Sequence, residues 1–126
     1  MKAPLQIDEL HLLNFFSAIP VQLDPNLPWI YNDSSYEAVE GQTRISFAIA
    51  PASRDVRIRL TEGDALRYEF NAMGIEDVRV HNDKGCESLE MTLAGTSSLW
   101  ILLKPSISIR QHFCKDHRND IEVNLR

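Results

Sequence analysis

The chain has 126 residues, 44% hydrophobic and 25% charged, with 13 lysines and arginines against 18 aspartates and glutamates for a net charge of −5. That length supports one domain with a real core and needs neither disulfide nor metal to fold, while the acidic balance argues against nucleic acid and anionic membranes as partners. No apolar run approaches membrane-spanning length, and "MKAPLQIDEL" lacks the apolar heart of a secretory signal; the expected location is the cytoplasm, where Cys86 and Cys114 stay reduced.

In chain order, Asp8 is a candidate helix cap ahead of Leu10, Leu12, Leu13, Phe15, Phe16 and Ile19, a wide apolar stripe, and Pro20 disfavours helical backbone at Ile19. The spacing predicts a single domain 1–126, with a helix over about 8–19, a proline-rich connector over 20–28, a β-meander over about 29–112 and a polar segment over 113–126. In the meander Ile45, Phe47 and Ile49, then Val56, Ile58 and Leu60, then Leu66, Tyr68 and Phe70 alternate with polar residues, as one-sided strands do. Val78 and Val80, Leu89 to Leu93, and Leu99 to Ile109 continue the pattern, with "PASRD", "TEGD", "NDKG" and "AGTS" as turns. Gly74 in "NAMG" is free to take positive φ at a strand end. Ile121, Val123 and Leu125 alternate and allow a last strand, with a frayed end as the equal alternative.

Opposed residues of an antiparallel pair share a face, so around "TEGD" the expected partners are Leu60 with Leu66, Ile58 with Tyr68 and Val56 with Phe70. That register sets Arg57 against Glu69 but Arg59 against Arg67, an unfavourable pair that invites an anion, either a ligand or, the plainer reading, a neighbouring acid such as Glu87, Glu90 or Asp64. A greasy meander face needs a cover, and the N-terminal helix is apolar enough to supply it. The predicted architecture is therefore α+β: an N-terminal helix packed on a mainly antiparallel, strongly curled β-meander, half-barrel or sandwich-like. Trp100 and Leu102 point away from that face and would meet a second layer, the segment around "LPWIYNDSSY". Pro105 interrupts the ladder and belongs at an edge or bend.

Chemistry-bearing patterns are sparse. "HFCKDH" gathers His112, Cys114, Asp116 and His117, ligand types zinc accepts, but H-x-C-x-x-H is no established spacing, and a polar segment is the plainer reading. Cys86 or Cys114 with His81 as a nucleophile and base pair lacks anything to orient the base. The glycines are isolated at turns and form no phosphate loop, and Glu76, Asp77 and Asp83 read as exposed turn acids. No catalytic residue, metal or cofactor is expected.

The stretch that stands out is "PWIYNDSSYEAVEG". It combines the aromatics Trp29, Tyr31 and Tyr36 with Asp33, Glu37 and Glu40, and it lies in a region, residues 3–43, that has six acids and no lysine or arginine. Aromatics supply rigid contact area and acids steer toward a basic surface, so these six residues are the candidate partner-binding set. The competing reading is an edge hairpin whose aromatics finish the core.

The stretches "DVRIRL", "YEFNAMGIEDVRVHND" and "LWILLKPSISI" resemble a small bacterial domain. With the short helix, the one-sided meander and the acidic face, the chain resembles the immunity proteins of bacterial polymorphic-toxin and contact-dependent inhibition systems, which bind a cognate toxin domain and block it. That resemblance implies occlusion of a basic protein partner through exposed residues, without catalysis or cofactor; it transfers no individual residue. Two alternatives remain at this level: a small-molecule-binding β domain with an internal cavity, and a homo-oligomer built through an edge strand or the Trp100 face. Monomer and homodimer are both compatible with the sequence.

Overall fold

The computed structural model describes residues 3–93, 97–113 and 121–124. They form the helix α1 (Glu9–Phe16) and the strands β1 (Val21–Gln22), β2 (Ser34–Glu40), β3 (Thr43–Ala50), β4 (Asp55–Glu62), β5 (Ala65–Ala72), β6 (Asp77–Asp83), β7 (Cys86–Thr92), β8 (Ser97–Leu102), β9 (Ser108–Phe113) and β10 (Ile121–Asn124). Strands β1 to β5 make one antiparallel sheet in sequence order, and β6 to β10 make a second. Pro105 falls in the loop between β8 and β9, as its missing N–H requires.

The strongly curled meander expected from the sequence is not what forms. The strands divide into two open sheets that are neither closed nor strongly curled. The division falls after β5, where Gly74, at φ +71°, lets the chain leave the first sheet instead of turning back beside it. Ile75 then plunges into the interior, and its N–H donates to the Arg54 carbonyl at 2.9 Å. With two apolar faces available, each sheet gains its cover from a shared interior and has no need to curl. Ile45, Phe47, Ile58 and Leu60 from the first sheet and Leu89, Met91, Leu99 and Ile101 from the second enter one apolar cluster, each side chain withdrawn from water for about 1.5–3 kcal/mol.

Helix α1 caps as expected, the Asp8 carboxylate accepting from the Leu10 N–H at 2.9 Å. It stops at Phe16, short of Ile19, because Ser17 takes the left-handed conformation and closes the last turn on the Leu13 carbonyl. Leu12, Phe15 and Phe16 are buried, and the helix packs beside β2 and touches β6 and β7, so it plugs one margin of the core and does not cover a whole sheet.

The β4–β5 hairpin is shifted by two residues from the expected register. Leu60 faces Tyr68, Ile58 faces Phe70 and Val56 faces Ala72, with an irregularity between Leu60 and Thr61. The shift seats Arg59 opposite Glu69, at 3.2 Å, and so removes the Arg59–Arg67 clash. A shift by an even number keeps the apolar faces matched, but the bulge turns Leu66 outward. The segment around "LPWIYNDSSY" belongs to the first sheet and does not cover Trp100. The Trp100 ring instead lies on the outer face of the second sheet, 5.1 Å from the His81 ring, and its indole N–H donates to Ser98 Oγ at 3.1 Å.

Arg54 ties three parts of this fold together. Its Nε donates to the Ala3 carbonyl at 2.6 Å and its Nη1 to the carbonyls of Ile75 and Glu76, both at 2.9 Å, linking the N-terminal strap, the β3–β4 turn and the crossover between sheets. Replacing it removes three hydrogen bonds from a charged donor and leaves the partly buried Ile75 carbonyl without that partner. Arg54→Ala is expected to lose about 2–3 kcal/mol in urea unfolding; a change below about 0.5 kcal/mol, the size typical of surface sites, would contradict this role.

Candidate protein-binding surface

The structure distributes the six sequence-derived candidates over three environments. Tyr36 points into the core, 1% exposed, its ring stacked 5.4 Å from Phe16, which stacks in turn 5.6 Å from Phe47. Trp29 is half-buried against the same cluster, and its indole N–H donates to the Tyr36 hydroxyl at 3.0 Å. Those two aromatics finish the core. Tyr31 is 63% exposed, at the end of the 3-10 turn Trp29–Tyr31.

The acids divide as well. Asp33 is ion-paired with Arg57 of β4, and Glu37 lies 3.8 Å from Arg44 of β3, both ends of that second pair being about half exposed. Exposed pairs of that kind contribute a few tenths of a kcal/mol and are screened by salt. The base-free character of residues 3–43 is therefore partly offset in space by arginines from the neighbouring strands. Glu40 is exposed.

Glu40 stands at the rim of a cleft of about 870 Å³ at the C-terminal end of α1, which β2 also borders at Glu37; the Glu37 side chain leaves the opposite, outer face of the strand, beside Arg44. Phe15, Phe16, Ala38 and Ile107 line it, and Glu87 from the start of β7 and Lys104 from the β8–β9 loop complete its rim. The sequence offered no means of finding Glu87 or Lys104, because they reach the cleft from the other sheet. Two carboxylates, Glu40 and Glu87, and one ammonium around an apolar floor suit a basic side chain with an aliphatic stem.

The loop from Asp24 to Asp33 is held by Asn32, which is 3% exposed. Its Nδ2 donates to the carbonyls of Asp24, at 2.6 Å, and Leu27, at 3.0 Å, while its Oδ1 accepts from the N–H groups of Asp24 and Asp33. One buried amide thus satisfies four backbone groups in a segment rich in proline. The consequence is a rigid loop that leaves Leu27, Ile30 and Tyr31 facing water, next to a strand, β1, whose Val21 is also exposed.

Elsewhere, His81 Nε2 sits 2.8 Å from Glu90 Oε1, an outer-face arrangement that also includes Trp100. Cys86 is exposed and stands opposite Asp83, with no hydrogen bond to His81. Of the histidine and cysteine cluster, Cys114, Asp116 and His117 lie outside the described residues, and His112 is described only as part of β9. Among the described residues there is no group of three or more metal-ligating side chains, and no helix is long and apolar enough to cross a membrane.

No protein-family model matches the chain, and no curated protein matches it in sequence. Among solved structures, a chain of the contact-dependent growth inhibition toxin–immunity protein complex from Klebsiella pneumoniae 342 has the same fold, with a TM-score of 0.75 over 88% of this chain and 97% of that one and 16% identity. The resemblance to immunity proteins seen in the sequence thus has a counterpart in three dimensions. At that identity it is the fold that is shared.

Burial pushes the Tyr36 hydroxyl above its ordinary value, the Trp29 hydrogen bond acting the other way and Glu9 adding to the rise; burial also raises Tyr68. Unfolded, both phenols ionise near pH 10, about the unperturbed tyrosine value. Folded, they stay neutral to higher pH, so their contribution is intact below about pH 10 and is lost as pH rises through the folded values. Tyr36→Phe is expected to flatten the alkaline fall of stability in urea unfolding; an unchanged slope would contradict the burial.

Removing the loop's organising amide should cost more than an exposed polar residue would. Asn32→Ala is expected to lose about 1–2 kcal/mol, since it removes four hydrogen bonds to partly buried backbone groups, and to speed hydrogen exchange at the Asp24 and Asp33 amides. Unchanged exchange at those two amides would show that the loop is held by other means.

Proposed function

We propose that this chain is a non-enzymatic immunity-type protein that binds a toxin domain and blocks it by covering its working surface. The observation that carries the proposal is the fold-wide likeness to a chain of a toxin–immunity complex, spanning nearly the whole of both chains. Of the two roles in such a complex, the immunity role suits the chemistry of this chain. It is acidic overall, and it presents rigid contact groups on one margin of the first sheet, Tyr31 among them. Toxins that act on nucleic acid need a basic surface, and an acidic inhibitor is the complement of one.

In this reading Glu37 and Glu40 steer the encounter from the two faces of β2, and the cleft that Glu40 rims with Glu87 receives a lysine or arginine of the toxin. Tyr31 and the Asp33 region add contact area beside it. Trp29 and Tyr36 act from behind, by holding the surface in shape. The acids on the rim are weakly paired or unpaired in the free protein, so their reversal tests binding with little effect on folding.

Two measurements check this. Expressed alone the chain is expected to be harmless, and expressed with the toxin domain encoded beside its gene it is expected to restore growth; growth arrest by this chain alone would assign it the opposite role. Glu37→Lys together with Glu40→Lys is expected to slow association with that domain by about tenfold or more at low ionic strength, with a smaller difference in high salt where exposed charges are screened. An association rate unchanged by the double reversal would remove the acidic rim from the interface.

A further inference from the structure

The exposed apolar residues of the described chain are unevenly placed. Ile19, Val21 and Leu23 are 85%, 76% and 81% exposed, and Leu27, Ile30 and Tyr31 follow within the same short segment. Single exposed apolar residues are ordinary; a run of them on an ordered segment marks a contact surface. Their spacing at every second residue is that of a strand face, and β1 is the edge strand of its sheet, bonded to β2 alone. Val21 stands opposite Ser35, so it shares the outer face on which Glu37 also lies.

Two features separate this surface from an ordinary sheet edge. Pro20 removes a backbone donor where β1 begins, so the edge is poorly suited to recruit another strand through main-chain hydrogen bonds, and contact must come from side chains. The Asn32 network and the Trp29–Tyr36 hydrogen bond hold the adjoining loop in place in the free protein, so little ordering remains for binding to impose.

Charge decides the occupant. The segment 19–33 contains no lysine or arginine, and Asp24 lies within it. Glu9 is close enough to act electrostatically on Tyr36, whose hydroxyl touches Trp29 at the start of the exposed turn. Asp8, Glu9 and Asp24 have no ion-pair partner among the described residues. A second copy of the chain would set these carboxylates against their own kind across the apolar patch, whereas a surface with an apolar centre and a rim of lysine or arginine complements them.

The geometry points to Ile19, Val21, Leu23 and Tyr31 as the apolar anchor by which this chain holds a partner protein whose contact surface is apolar at its centre and basic at its rim. This deepens the toxin-binding reading and rests on it: the rim acids at Glu37 and Glu40 govern approach, and the β1 row governs how long the complex lasts.

The test compares Val21→Asp/Leu23→Asp with Met73→Asp, a control at a comparably exposed apolar residue on the crossover between sheets. Each is titrated by calorimetry with the toxin domain encoded beside this chain's gene, with thermal unfolding and light scattering on the free proteins. The double variant is expected to bind at least thirtyfold more weakly, while Met73→Asp matches wild type and all remain monomeric. Should the aspartates disturb folding, Val21→Ala/Leu23→Ala is expected to weaken binding about tenfold. Wild-type affinity in a folded double variant overturns the anchor and leaves the immunity reading standing. Failure of the wild type to bind that domain overturns both. A wild-type dimer that the double variant dissolves assigns the surface to a second copy and overturns the partner assigned here.

Discussion

Each of the two sheets has one apolar face, and among the described residues neither face has anything large enough to cover it except the other. The helix is only eight residues long and fills a margin. Mutual cover is therefore the constraint on which the rest depends, and it makes the short crossover after β5 the most consequential connection in the molecule. Gly74 supplies the backbone freedom there, Ile75 the buried anchor, and Arg54 the polar fastening that joins the crossover to the N-terminal strap. An arginine suits that position because its planar fork donates to several carbonyls at once, which an ammonium on a flexible stem does less well.

With the apolar faces turned toward each other, contact with other molecules is left to the outer faces, the rims and the edges. On the outer faces most charges are matched across strands, Arg59 with Glu69 and Arg57 with Asp33 among them, so they present no strong field. The margin formed by β1, its following loop and β2 differs. There the loop is fixed internally by Asn32, and Ile19, Val21, Leu23 and Tyr31 face water alongside the exposed Glu37 and Glu40. Rigid, preorganised apolar area beside unpaired acid is how protein interfaces combine affinity with steering, and this margin runs from the β1 row to the cleft at the end of α1.

Period-two alternation made most strands legible and the Asp8 cap located the helix start, whereas the alternation at Ile121 and Val123 left β10 and a frayed polar end equally open. The crossover was not legible, because "NAMGIED" contains the same turn residues as the hairpins and only long-range packing tells Gly74 from Gly63. The β4–β5 register was misjudged by two residues because facing hydrophobics fix which side a residue takes and leave even-numbered slips open; relief of the Arg59–Arg67 pair by Glu69 was the clue available. Of the candidate surface, Tyr31 is exposed and Glu37 and Glu40 are exposed together, whereas Tyr36 proved to be core: its place opposite Phe47 on a buried face could be known only from strand pairing. The apolar row at Ile19, Val21 and Leu23 was present in "IPVQL", but prolines on either side made the segment read as a connector.

The central claim is that this chain meets a toxin domain along the β1–β2 margin, and hydrogen–deuterium exchange of the complex with that domain tests it most directly. The expected result is slowed exchange confined to residues 19–40 and to the β6–β7 turn at the cleft, with little change elsewhere. Protection centred on Trp100, His81 and Glu90, on the outer face of the second sheet, with residues 19–33 unchanged, would contradict it.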